Sequence, residues 1–171
     1  MKTKLFFAAV VNITVLAFLV LPIANAETKN CSGDAKLVSM PSQTTLNLED
    51  TPQHVIQLSY EIHDHTSTCP EIKEFRQFIY AYSDMVAGSG TGEGYWTDVT
   101  KGGDKLFGKH MNKFKTDIKA DGSWEMTFSG EWEATGGTGK FEGVKGKGTF
   151  TGKGSPEGMS WNWEGSFNFP E

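Results

Sequence analysis

No nucleophile elbow, zinc-protease motif or dinucleotide fingerprint occurs anywhere in the 171 residues, so catalysis has no positive motif in its favour. There is no basic patch either, and the acidic balance argues against nucleic acid or an anionic membrane surface as partner. No proline-rich or charged linker separates one part of the chain from another, and neither half alone has enough apolar residues for a core, which points to a single domain. Glycine is nearly missing from the first half: 19 of the 20 glycines, and all five tryptophans, lie from Gly88 onward. Cysteine is limited to Cys31 and Cys69.

The one long apolar run is at the N-terminus. Lys2 and Lys4 precede an almost wholly apolar stretch from Leu5 to Ile23, and Ala24-Asn25-Ala26 closes it. That order is a secretory signal with cleavage before Glu27, which leaves residues 27–171 as a free domain without a stable membrane anchor. Losing two lysines and no acids leaves 14 basic against 21 acidic residues, a net charge of −7. An exported address, periplasmic or extracellular, places Cys31 and Cys69 where thiols are oxidised, so a disulfide between them is expected.

Three segments alternate with period two and read as half-buried strands. In 54–62, His54, Ile56, Leu58, Tyr60 and Ile62 oppose Val55, Gln57, Ser59 and Glu61. In 123–133, Trp124, Met126, Phe128 and Trp132 oppose a polar face, after the turn signal Asp121-Gly122. In 159–169, Met159, Trp161, Trp163, Phe167 and Phe169 do the same. Further strands are expected at 36–40, 78–86, 95–99, 106–115 and 147–152, with one short helix over 70–77. About eight strands without helical crossovers close most simply into an antiparallel meander barrel, which removes exposed edges and leaves a filled interior or room for one small ligand.

The stretch Gly136-Gly137-Thr138-Gly139-Lys140-Phe141-Glu142-Gly143-Val144-Lys145-Gly146-Lys147-Gly148-Thr149-Phe150 resembles a glycine-rich hairpin of the allene oxide cyclase-like barrels, a group that includes plant dirigent proteins and bacterial secreted domains. The resemblance implies an all-β fold, an eight-stranded antiparallel barrel of allene oxide cyclase-like or calycin-like type with an apolar cavity. Active-site residues of the characterised members do not map onto this sequence, so none is carried over, and family likeness speaks to fold more than to activity.

Candidate binding residues are the polar and aromatic groups on the faces taken as inward. His54 and Tyr60 share the apolar face of their strand; Tyr82 and Asp84 share one with Phe78; Asp98 lies on the side of Trp96, and His110 on that of Leu106 and Phe114. Trp124, Trp132, Trp161 and Trp163 complete an aromatic wall over a polar floor, the makeup of a small-molecule site. His63 and His65 fall on the polar side of their strand and read as a solvated turn, which argues against both a cavity role and a metal site. No cofactor is implied. The leading expectation is a barrel that binds a small apolar molecule. An isomerase or cyclase in which His110, Asp98 or His54 moves a proton is the alternative, and a structural or partner-binding module the third. Oligomeric state is left open.

Overall fold

A computed structural model describes residues 27–170; the proposed signal segment lies outside them. Eight antiparallel strands follow one another around a closed barrel: β1 (Glu27–Asn47), β2 (His54–Ser67), β3 (Glu74–Val86), β4 (Ser89–Thr100), β5 (Lys105–Ile118), β6 (Trp124–Gly137), β7 (Lys145–Ser155) and β8 (Gly158–Phe169). Closure is made by β1, which pairs with β2 on one side and with β8 on the other. Every strand therefore has two partners, and no edge is left to template aggregation. β1 is much longer than the expected 36–40 strand, and its register with β2 shifts twice between Leu37 and Ser42. Pro41 sits in that interval, where it has no N–H to give a ladder.

The helix expected over 70–77 is reduced to one 3-10 turn, Pro70–Ile72. β3 takes over from Glu74, because pairing with both β2 and β4 outweighs a weak local helical spacing. A second 3-10 turn, Gly139–Phe141, sits inside the glycine-rich stretch. These two turns plug one end of the barrel: Ile72, Leu106, Phe141 and Val144 there are almost fully buried. The Cys31–Cys69 disulfide, Cα–Cα 5.4 Å, ties β1 to the loop before the first turn at the same end. The opposite end carries the β1–β2, β3–β4, β5–β6 and β7–β8 connections and remains open.

The glycines have a packing reason. On strands β5, β7 and β8 some of them stand where a tryptophan ring from another strand comes against the backbone. A Cβ at Gly108 would overlap the Trp96 ring, and one at Gly148 or Gly165 the Trp132 ring. Glycine thus exchanges a small side chain here for a tryptophan next door, which keeps indoles inside a narrow barrel. Among the described residues no helix is long and apolar enough to cross a membrane.

Candidate functional site

The inward face of β2 is the reverse of the expected one. Gln57, Glu61 and His65 line the interior, and His63 is fully buried beside them; Leu58 is 57% exposed on the outer wall. The same holds on β3, where Phe75, Gln77, Ile79 and Ala81 face inward and Tyr80 is outside. Tyr60 and Tyr82 accordingly leave the lumen. Tyr60 stacks on Tyr80 at 4.9 Å on the exterior, directly across the ladder. His54 also lies outside, held between the Asp50 and Asp84 carboxylates at 2.7 and 2.8 Å. The hydrogen bond to Asp84, then that to Asp50, raises its pKa. The physical reason is that alternation divides a strand into two faces without saying which one closes on the core. In this barrel the polar face of β2 is the one sealed in, and an aromatic strip is left on the outer wall.

The remaining candidates do face inward. Trp96, Asp98, His110, Trp124, Trp132, Trp161 and Trp163 all border one cavity of about 720 Å³. Its mouth, at the open end, is predominantly apolar, with Met85, Ile118, Trp124, Met126 and Met159. Near it the Gln43 side-chain amide donates to the Gln57 carbonyl oxygen at 2.7 Å. Toward the plugged end the walls are aromatic: Trp132 stacks on Phe167 at 5.0 Å and meets Trp163 edge-on at 6.1 Å.

Between mouth and plug lies a belt of polar groups, most of which sequence reasoning had placed outside. Glu61 is hydrogen-bonded to the His63 ring at 3.0 Å and accepts from the Ser59 hydroxyl at 2.7 Å. Burial alone would raise the Glu61 pKa, but the hydrogen bond and charge of His63, with Ser59 and His110, hold it below the ordinary value. Glu61 is therefore an interior carboxylate. Asp98 behaves oppositely: burial raises its pKa well above the usual range, and the single hydrogen bond it accepts, from the Gln77 amide at 2.8 Å, only partly offsets this. The register explains the contact, since Gln77 stands opposite His63 on one side and Asp98 on the other.

Two imidazoles complete the belt. His65 stacks on Phe75 at 4.6 Å and meets Trp161 at 5.4 Å. Burial, and secondarily the charge of His63, lower its pKa to about 3, with nearby Gln77 pulling weakly the other way. Neither ring nitrogen has a partner of good hydrogen-bonding geometry. Burial likewise lowers His110 to about 4, against an upward pull from Glu61. Both rings are neutral at pH 7, each with one N–H donor and one acceptor nitrogen. Buried polar atoms without partners accumulate around this space: His63 Nδ1, both nitrogens of His65, Asn112 Oδ1 and the indole Nε1 of Trp132 and Trp163. Buried polar atoms in folded proteins almost always have partners, so such a concentration marks a place where another molecule, water or ligand, completes the bonding.

A signal for the missed residues exists. Glu61, His63 and His65 recur at period two on one face of β2, and a run of groups able to hydrogen-bond one another can be buried as a set. Among the described residues no group of three or more His, Cys, Asp or Glu side chains could hold a metal ion. The outer waist is concave too, past Tyr80, Tyr95, Lys109 and Glu164, but that groove is open to solvent.

No family model matches the sequence, and no curated protein does. Among solved structures, a pterocarpan synthase dirigent protein is 12% identical, over 96% of this chain and 99% of that one, with a TM-score of 0.49. At that score the likeness supports no statement about this chain.

Proposed function

We propose that this protein is an exported barrel that binds a small, largely apolar molecule in its lumen. One observation carries the reading: a cavity of about 720 Å³ is walled by tryptophan and phenylalanine and holds a belt of buried polar atoms without partners. That volume is in the range of small-molecule sites, and an apolar wall with a few convergent polar groups is their usual chemistry. A barrel built for stability alone would have filled the space with aliphatic side chains. The Cys31–Cys69 disulfide supports the export half of the reading, because disulfides persist outside the reducing cytoplasm.

The test is equilibrium titration with a panel of hydrophobic ligands, read through quenching of the lumen tryptophans. Saturable quenching that weakens in Ser83→Phe, which adds a ring inside the cavity, and persists in His54→Gln, on the outer wall, is the expected result. No saturable change with any ligand up to its solubility limit would overturn the proposal.

A second reading, proton-transfer catalysis, is favoured by a specific feature: one lumen holds a carboxyl whose pKa burial raises, Asp98, and one whose pKa its hydrogen bonds and charged neighbours hold down against burial, Glu61. Environments that push two titratable groups apart are how acid and base roles are assigned in enzymes. His54 has no part in it, since it stands outside. Incubation in heavy water followed by chromatography and mass spectrometry of the recovered ligand tests this, since an isomer has the same mass but a transferred proton exchanges for deuterium; recovery of unexchanged, unchanged ligand only would overturn it.

A further inference from the structure

The lining of the lumen contains acids, amides, imidazoles and hydroxyls but no lysine and no arginine. Among the described residues, Lys109 and Arg76 stand on the outer wall, paired with Glu133 and Asp64. An anionic ligand entering this space would therefore meet no cation. It would also approach Glu61, whose two oxygens are already committed to His63 and Ser59. Burying an unpaired carboxylate is among the most unfavourable transfers a binding site can be asked to make.

Neutral polar groups are better served. Asp98 uses one oxygen to accept from Gln77 and has its other oxygen free on the cavity side. His110 borders the same space without a hydrogen-bond partner among the described residues. These groups lie on the inner side of the cavity, whereas the mouth is lined mainly by methionines, Ile118 and Trp124. Methionine is soft and unbranched and adapts to the outline of a flat hydrocarbon.

Resting on the lumen as the binding site, we infer that it takes uncharged, flat apolar molecules that carry one hydroxyl or carbonyl group, seated with that group inward against Asp98, and that it turns carboxylates away. The selectivity is set by what the walls lack as much as by what they offer.

Three probes of one ring skeleton separate the possibilities: pyrene, hydroxypyrene and pyrene carboxylate, titrated at neutral pH and read by pyrene emission and tryptophan quenching. Hydroxypyrene should bind tightest, roughly fivefold better than pyrene, the worth of about one net hydrogen bond. The carboxylate should bind at least about tenfold more weakly than pyrene, for want of a cation. Within the Asp98→Leu variant, hydroxypyrene and pyrene should bind equally. Asp98→Asn, which is isosteric, neutral and still a donor, should keep the preference, and it remains informative should the leucine variant not fold. Carboxylate binding equal to or tighter than pyrene overturns the inference and leaves the lumen as binding site intact. Equal binding of pyrene and hydroxypyrene overturns the inward seat. Failure of all three to bind removes the lumen reading itself.

Discussion

Acid should unfold this protein early, and His65 is where the effect can be isolated. Its pKa falls from 6.5 in the unfolded chain to about 3 in the barrel because the ring is enclosed by Phe75, Trp161 and His63. Below pH 6.5 the unfolded state takes up a proton that the native state refuses, so the stability present above that value is lost as pH falls toward 3. At about pH 4.5, which lies about two pH units below the unfolded value and still above the native one, the loss is about 2.7 kcal/mol. His110, lowered to about 4, adds about 2.5 kcal/mol over the same interval. Together they approach the whole stability of a marginal domain. Asp98 works in the opposite sense, since its raised pKa favours the folded state at low pH. The informative quantity is therefore a difference between variants, in which Asp98 cancels. His65→Phe keeps a flat ring against Phe75 and Trp161 and removes the titration. Urea unfolding at about pH 7 and about pH 4.5, followed by far-ultraviolet circular dichroism, should show the variant losing about 2.7 kcal/mol less than the natural chain between the two conditions. Parallel losses in the two proteins would mean that His65 is hydrated or paired in solution, and the reasoning from its burial would be refuted.

Asp98→Asn should gain stability relative to the natural chain as pH rises from about 4 to about 8, because the native acid must hold a proton that the unfolded chain releases above its ordinary pKa; urea midpoints across that range check the direction. Replacing Cys31 and Cys69 together by serine reopens a loop of sequence separation 38 and should lower stability by about 4 kcal/mol in the chain-entropy account, measured by urea unfolding. Gly108→Ala drives a methyl group into the Trp96 ring and the Glu133 carbonyl and should destabilise by about 1–3 kcal/mol or more, whereas Gly102→Ala, with nothing nearer than 3.8 Å, should stay within about 0.5 kcal/mol. Thermal melts of the two variants side by side decide it.

Alternation made β6 and β8 legible, and with them the indoles of Trp124, Trp132, Trp161 and Trp163, because on those strands large aromatics and small polar residues leave no doubt about which face seeks the core. It also made the meander legible, since turn signals recur at about ten-residue spacing. The same rule misdirected on β2 and β3. There both faces carry material that can live in either place: tyrosine tolerates water at its hydroxyl, and glutamine, glutamate and histidine tolerate burial when they bond to one another. Period two fixes that Glu61, His63 and His65 share a face; only the pairing of β2 with β1 and β3 decides that the face looks inward.

That inversion is what gives the barrel its buried polar belt. Had β2 turned Ile56, Leu58 and Ile62 inward, the lumen would have been an oily core with Asp98 as its one awkward acid. Instead Glu61 finds His63 on its own strand, Gln77 stands opposite His63 in the ladder, and Gln77 donates to Asp98, so three strands deliver a polar belt into an aromatic cylinder. The cost falls on the outer wall, where Leu58 of β2 and Tyr80 of β3 are left 57% and 58% exposed. A chain that gives up apolar burial on one side of a strand to enclose ionisable groups on the other has lost stability in both places. Such conflicts between local pattern and packing concentrate at functional sites. The polar belt, more than the tryptophans around it, is therefore the feature whose removal should abolish selectivity while leaving the barrel standing.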